Sequence, residues 1–216
     1  MDSSVNMGKS IDGYEHYLCI FEGHSAKIFT FLLRTKAEAH EYATFWMRRA
    51  HTAHFPHKII HLHLDGGELF TNKVSAFCAG KGTELHVNQR SAHEHNTKAE
   101  RPIRTVNEMA RAFCTHGGAN FTDYWPVAVK CAEQALGLLP PMRQLKIKQL
   151  KGGDQRERAL TPNEIYKGVK YPDYKSQFRN LVTPFVEVTA IYDDLADRGS
   201  KQNNPGYPAL YLGPVY

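Results

Sequence analysis

The spacing of apolar residues predicts strands at the start of the chain. Residues 14–22 (YEHYLCIFE) and 27–33 (KIFTFLL) are rich in aromatic and other β-favouring side chains. The Gly23-His24-Ser25 segment between them predicts a tight turn, so the two segments should pair as a hairpin. An Asp12-Gly13 pair predicts another turn upstream, which assigns residues 1–5 to an earlier strand. We therefore expect three antiparallel strands to begin the fold.

In later segments the spacing of apolar residues changes to that of a helix. Apolar residues recur at intervals of three and four in three segments, which predicts amphipathic helices. These segments are residues 36–54, 96–115 and 121–139. A shorter helix is expected over residues 72–79 and a strand over residues 84–87, whereas the polar residues 88–96 predict a loop.

Residues 57–65 (HKIIHLHLD) form the most informative segment. Their alternation predicts a strand that ends at Asp65, with the acid on the same face as His61 and His63. The following Gly66-Gly67 pair allows a sharp turn beside the carboxylate. Ligands of open α/β sheets bind beyond the carboxyl ends of strands, which makes Asp65 the first candidate site residue. An equally simple interpretation is an Asp that caps the next turn.

One face of the second long helix carries a charged pattern. Glu100, Arg104, Asn107 and Arg111 fall together when residues advance by about 100° each. An acid followed by two arginines and an amide suits a metal site that is approached along phosphates. The alternatives are a solvated face in which Glu100 and Arg104 form an i,i+4 pair, and a capping box formed by Thr97 and Glu100.

Composition narrows the class of protein. The 216 residues, 42% hydrophobic and 23% charged, suffice for one good core and a small appendage. The formal net charge of +5 favours a polyanionic partner. The four cysteines form no CxxC pair, which argues against a disulfide framework or a cysteine-rich zinc site and fits a reducing compartment. No apolar run approaches the length of a membrane span, so no membrane partner is expected.

After the double proline at 140–141 the sequence becomes basic and is interrupted by glycines, which predicts a domain boundary. We expect a catalytic-type core over residues 1–140, and a basic linker with a C-terminal extension over residues 141–216. The expected parts of the second region are a basic arm over 143–158 that includes Lys146 and Lys148, a helix from Thr161, strand-like stretches over 182–192 and a loop-rich end over 203–214.

The order of the predicted elements is that of an α/β ribonuclease H-like fold, with a mixed central sheet flanked by helices. In that fold two strands and a later helix each contribute an acid, and here those acids are Asp2, Asp65 and Glu100. Hydrolysis or transfer of a phosphodiester needs an activated nucleophile and a stabilised leaving oxygen. Two Mg²⁺ ions about 3.5–4 Å apart provide both, and Mg²⁺ prefers carboxylate oxygen.

The motifs around these acids resemble the integrase catalytic core of copia-type LTR retrotransposons, a relative of retroviral integrases. The resemblance covers most of the chain, and its most specific part lies around Glu100. The matching positions are Asp2, Gly13 and Tyr17; Asp65-Gly66-Gly67-Glu68-Leu69-Phe70 with Phe77-Cys78; Asn96-Thr97-Lys98-Ala99-Glu100-Arg101 running into Arg104-Thr105-Val106-Asn107-Glu108-Met109-Ala110-Arg111; Trp125-Pro126; and Thr161-Pro162 with Glu164 and Gly168.

The resemblance implies a retrotransposon-type DNA integration activity, namely metal-dependent 3′-end processing and strand transfer by a DDE-type transferase and endonuclease. Asp2, Asp65 and Glu100 would be both the catalytic residues and the ligands of Mg²⁺ or Mn²⁺. The implied partners are element ends, target DNA and further copies of the chain, and the implied compartment is the nucleus. The residues expected to contact DNA are Asn96, Arg101, Arg104, Asn107, Arg111, Lys146 and Lys148.

This chain also departs from the family pattern. Thirty-four residues separate Asp65 from Glu100, one fewer than usual, and Pro102 stands where the family has a basic or polar residue. Almost nothing precedes Asp2, which predicts a shortened central strand and a truncated copy. The alternative function is therefore an inactive or co-opted core that only binds nucleic acid.

The histidines permit one more interpretation. His61-x-His63-x-Asp65 is similar to a metal-binding motif of the metallo-β-lactamase fold, for which His93, His95 or His116 could supply further ligands. Gly66 stands where that motif needs its last histidine, and the chain lacks the strand-rich pattern of that fold.

Overall fold

The elements of the first 140 residues follow the order that the sequence predicts. The computed structural model describes residues 1–3, 7–53, 58–65, 69–88, 97–140, 159–171, 186–191 and 206–211. The strands are β1 (Asp2–Ser3), β2 (His16–Glu22), β3 (Lys27–Leu33), β4 (His61–Asp65), β5 (Glu84–Asn88), β6 (Val186–Ile191) and β7 (Gly206–Tyr211). The helices are α1 (Ala39–Ala53, after a 3-10 turn at Lys36–Glu38), α2 (Asn72–Lys81), α3 (Thr97–His116), α4 (Phe121–Leu138) and α5 (Pro162–Lys167).

The predicted three-stranded start is confirmed. Strands β1, β2 and β3 form an antiparallel sheet in that order, with Asp2 opposite Cys19 and Cys19 opposite Thr30. The hairpin turn is stabilised by Glu22, whose carboxylate accepts hydrogen bonds from the backbone amides of His24 and Ser25. Burial raises the pKa of Glu22, but these hydrogen bonds favour its charged form and leave the pKa below its usual value.

The predicted single mixed sheet is not observed. Strands β4 and β5 form a separate parallel pair, and no ladder among the described residues joins β4 to β1. The N-terminal ammonium of Met1 nevertheless donates to the backbone oxygen of His63 at 2.7 Å, so the chain start lies against β4.

Two apolar clusters cover opposite faces of the first sheet. On one face Leu18 and Ile20 pack with α1, α2 and the buried Leu62 and Leu64 of β4. On the other face Tyr17 and Cys19 pack with α3 and α4. Alternate residues of β2 therefore face different helix pairs, as strand geometry requires. Helices α1 and α2 form one layer and helices α3 and α4 the other.

The region after residue 140 agrees with the sequence only in part. Helix α5 begins where predicted, because Thr161 and Glu164 form a capping box with each other's backbone amides. Strand β6 lies within the strand-like residues 182–192. The loop predicted over 203–214 is wrong, since β7 pairs antiparallel with β6 there. Pro208 lies inside β7 opposite Thr189, and both strands of this two-stranded sheet are edge strands, where proline is tolerated.

Two predicted segments lie largely or wholly outside the described residues. The loop over 88–96 lies outside the described residues from position 89 onward, as does the basic arm over 143–158. Helix α3 begins at Thr97 and continues through Pro102. In the part of the chain that is described, no helix has the length and apolarity to cross a membrane.

The buried thiols make the folded state sensitive to alkali. Burial raises the pKa of Cys19 to about 12 and the pKa of Cys114 to about 11, whereas an unfolded thiol ionises near pH 8.5. The unfolded state therefore loses protons first above that pH, and each thiol lowers stability by up to about 1.4 kcal/mol per pH unit until its folded pKa is reached.

In the wild type, the free energy of unfolding should fall as the pH rises from about 9 to about 11. We expect Cys19→Ala to make this fall less steep by about 1.4 kcal/mol per pH unit. Urea unfolding under reducing conditions measures it. Val129→Ala, which removes buried apolar atoms and no ionisable group, should lower stability equally at each pH. An unchanged slope in Cys19→Ala would contradict the assignment.

Candidate functional site

Asp2 lies on the face of the sheet that α3 and α4 cover. Residues directly opposite each other in an antiparallel pair point to the same face, and Asp2 is opposite Cys19. Cys19 packs into the cluster formed with Val106 and Ala110 of α3. Asp2 itself is half-buried. The strand register therefore directs this acid toward the layer that contains Glu100.

Asp65 is the last residue of β4, as the sequence predicts. It is in register with Asn88, the last residue of β5, so two polar residues end the parallel pair at the same edge. Residues 66–68, which include the two glycines, lie outside the described residues, and the side chain of Asp65 is not described. The backbone of Asp65 thus lies at the carboxyl end of β4.

Glu100 lies in the first turn of α3 with its side chain exposed. Arg101, Arg104 and Arg111 are also exposed. Arg111 extends over the ring of Phe121, with 5.5 Å between the guanidinium carbon and the ring centre. Three of the predicted DNA-contacting side chains are therefore accessible. Asn96, Lys146 and Lys148 lie outside the described residues.

Tyr17 connects β2 to the helix that contains Glu100. Its hydroxyl donates to Oδ1 of Asn107 at 2.9 Å and lies 3.5 Å from the carbonyl oxygen of Ile103. Asn107, predicted as a DNA contact, is half-buried and thus also positions α3. Burial raises the pKa of Tyr17 above its usual range, Cys19 and Asp2 raise it further, and Arg111 opposes them.

A cluster that the sequence did not predict lies on the solvent face of β4 and β5. Nδ1 of His61 is 3.1 Å from a carboxylate oxygen of Glu84, and Nε2 of His86 is 3.3 Å from the other oxygen. Nε2 of His86 and Nδ1 of His61 are 3.4 Å apart. The ring of His63 stacks on His86 with 4.7 Å between centres. Two imidazoles and a carboxylate thus converge on one point.

This cluster changes the interpretation of the histidine motif. Of the ligands expected from a metallo-β-lactamase comparison, His61 takes part in the cluster and His63 stacks on it. Its other members, Glu84 and His86, come from the neighbouring strand. His116 lies exposed at the end of α3, and His93 and His95 lie outside the described residues. The alternating Glu84-x-His86 pattern was visible in the sequence, but its register against β4 was not.

Comparisons with known proteins identify the class of fold. No protein-family model matches the chain. A chain of the simian T-cell lymphotropic virus intasome, solved in complex with PP2A regulatory subunit B56 gamma, matches with a TM-score of 0.54 and 9% identity, over 80% of this chain and 55% of that one. The catalytic core domain of BIV integrase matches with a TM-score of 0.43 and 15% identity, over 76% of this chain and 88% of that one. The chain has an integrase-like α/β fold.

Proposed function

We propose that this protein is a metal-dependent DNA-processing enzyme of the integrase type, which cuts and joins DNA strands. The observation that carries the proposal is the position of Asp2 within the integrase-like fold. The register of β1 directs Asp2 to the face covered by α3, whose first turn contains Glu100. Asp65 ends the adjacent parallel pair.

The donor chemistry of these three residues suits Mg²⁺ or Mn²⁺. All three supply carboxylate oxygen, the ligand that these hard cations prefer. Asp2, Asp65 and Glu100 would hold the metal. When bound, such ions activate a water or hydroxyl nucleophile and stabilise the leaving oxygen of a phosphodiester.

The other residues of α3 would bind and orient the DNA. Arg104 and Arg111 are exposed on the same helix as Glu100 and would contact phosphate oxygens, which fixes the position of the strand without reading its sequence. The Tyr17–Asn107 hydrogen bond would hold α3 in register against the sheet, and with it Glu100.

The finer proposal follows the motifs of copia-type elements. The substrates are then the ends of an element and a target DNA, the enzyme works as a homo-oligomer, and its compartment is the nucleus. The simian viral neighbour was solved as part of an intasome, and this assembly of a protein with a similar fold supports an oligomer here.

A second candidate function is nucleic-acid binding without catalysis. The observations that favour it are the formal net charge of +5 and the exposed Arg101, Arg104 and Arg111 of α3, which would bind phosphate whether or not a metal is held. Nicking of supercoiled plasmid DNA in Mg²⁺, in Mn²⁺ and in EDTA tests the choice. Metal-dependent nicks support the enzyme, whereas binding without nicks supports the second function.

The exposed arginines of α3 predict how DNA binding depends on salt concentration. Each phosphate neutralised by a protein cation contributes about 0.9 to the slope of log K against log salt on duplex DNA. We expect Arg104→Ala to weaken binding to all duplexes alike and to reduce this slope by about 0.9 in a filter-binding titration. Arg34→Ala removes the same charge from an exposed residue after β3 and serves as the control. An unchanged slope in Arg104→Ala would show that this face does not meet DNA.

A further inference from the structure

The histidine and glutamate cluster on β4 and β5 is separate from the three predicted catalytic acids. His61 precedes Asp65 by four residues, which places their backbones about 13 Å apart at the usual rise of about 3.3 Å per strand residue. The cluster faces solvent, because the side chains of His61 and Glu84 are 56% and 61% exposed. Its chemistry is also different, since two of its three ligands are imidazole nitrogens.

The backbone holds the ligands in place before any ion binds. Parallel pairing sets His61 opposite Glu84 and His63 opposite His86, so that all four occupy one face of the ladder. The start of β5 is fixed by two hydrogen bonds, from the amide of Glu84 to the Ile60 oxygen at 2.7 Å and from the Thr83 hydroxyl to the Ile59 oxygen at 2.8 Å. A ligand set built on paired strands loses little freedom when it binds a cation.

The distance between the two imidazole nitrogens matches tetrahedral coordination. Zinc bonds nitrogen and carboxylate oxygen at about 2.0–2.1 Å, so two ligand atoms of a tetrahedron around it lie about 3.3–3.4 Å apart. The nitrogens of His61 and His86 are 3.4 Å apart. Each nitrogen contacts a different Glu84 oxygen, at 3.1 Å for His61 and 3.3 Å for His86. One ligand atom from each of the three side chains therefore lies within 4.8 Å of the others, and the two nitrogens already have tetrahedral spacing.

We propose that His61, Glu84 and His86 form a binding site for Zn²⁺ or a chemically similar transition metal. Two imidazoles and one carboxylate select such ions over Mg²⁺, which prefers an all-oxygen set. Three protein ligands leave the fourth position to water, since the face is exposed. The stacked ring of His63 fixes the plane of His86. The ion clamps β4 to β5, and the proposal stands whether or not the protein cuts DNA.

Metal binding to the full chain tests the site. The protein is stripped with EDTA, dialysed and titrated with Zn²⁺ against a chromogenic chelator, and Co²⁺ is used in parallel because its visible absorption reports tetrahedral coordination. We expect one Zn²⁺ per chain, and a tetrahedral Co²⁺ spectrum that Zn²⁺ abolishes. Because zinc binds the folded site, it should also raise the melting temperature.

Four variants separate this site from other ligands. His86→Ala and Glu84→Gln should each lower zinc affinity by at least about tenfold, as loss of a direct ligand should exceed the usual cost of losing an outer-shell partner. His116→Ala removes an exposed histidine from α3, and Asp12→Asn removes an exposed carboxylate from the turn before β2; both should bind zinc as the wild type does. Wild-type affinity in His86→Ala and Glu84→Gln, or no zinc bound by the wild type, would overturn the proposal. Melting curves without zinc confirm that each variant is folded.

Discussion

Asp65→Asn is expected to abolish metal-dependent cutting and joining of DNA while leaving DNA binding intact. The substitution preserves the size of the side chain but replaces a carboxylate ligand with a neutral amide, a weaker ligand for Mg²⁺. Loss of one metal ligand should reduce the rate by at least about 1000-fold, which corresponds to about 4 kcal/mol of transition-state stabilisation. Binding without metal should hold or tighten slightly, because a negative charge that faces DNA is removed.

The measurement combines plasmid nicking in Mg²⁺ and Mn²⁺ with filter binding in EDTA. Asp12→Asn is the matched control, since Asp12 is an exposed acid in the turn before β2 and should leave both readouts unchanged. Glu100→Gln should behave like Asp65→Asn if both acids hold the same ions. Wild-type nicking by Asp65→Asn would show that the catalytic assignment is wrong, whatever the DNA affinity.

The elements that the sequence predicts well are those determined by local patterns. The hairpin of β2 and β3 follows from two β-favouring segments around a short turn, and α3 and α4 follow from apolar stripes with the period of a helix. The end of β4 at Asp65 also follows from alternation within a single segment. None of these predictions requires knowledge of a distant partner.

The predictions that the structure does not confirm depend on pairing between distant segments. A continuous mixed sheet requires a ladder between β1 and β4, and alternation within β4 says nothing about the length of β1. Strand β7 exists as the partner of β6, whereas its own composition, with glycine and proline, favours a loop. The proposal of Glu84 and His86 as ligands required the register of β5 against β4, which places them beside His61.

The candidate site depends both on local sequence patterns and on packing between distant segments. Asp2, Asp65 and Glu100 were predicted as site residues from strand ends and motifs, and their role stays a prediction. Asp2 lies in β1, Asp65 ends β4 and Glu100 lies in the first turn of α3. The contact that orients α3 was not predicted. Tyr17 was known only as a matching residue, and its hydrogen bond to Asn107 emerges from the packing of α3 on β2.

Trp125 of α4 contributes to the packing of α3 on β2. Its side chain is fully buried on α4, and its ring centre lies 6.2 Å from that of Tyr17. Its indole nitrogen donates to the backbone oxygen of Gly8 at 3.0 Å, which ties the segment before β2 to the helix. A substitution here therefore acts on both the core and the Tyr17 side chain that holds α3.

We expect Trp125→Ala to lower the free energy of unfolding by about 3–5 kcal/mol, because it removes the largest buried side chain of this cluster and leaves a cavity that α4 cannot close. Urea unfolding followed by circular dichroism measures the loss without relying on tryptophan fluorescence. Trp125→Phe should cost less, since it keeps an aromatic ring but removes the donor to Gly8. Trp46→Phe is the matched control, because the buried indole nitrogen of Trp46 has no hydrogen-bond partner among the described residues.

The comparison of the two phenylalanine variants isolates the hydrogen bond. Removing a satisfied buried donor costs about 1 kcal/mol and leaves the Gly8 oxygen one partner fewer, whereas removing an unsatisfied one costs nothing on that account. Trp125→Phe should therefore be the more destabilising of the two by about 1 kcal/mol. If Trp125→Ala loses less than about 2 kcal/mol, the cluster beneath Tyr17 does not hold α3 as the packing indicates, and Glu100 must be positioned by other contacts.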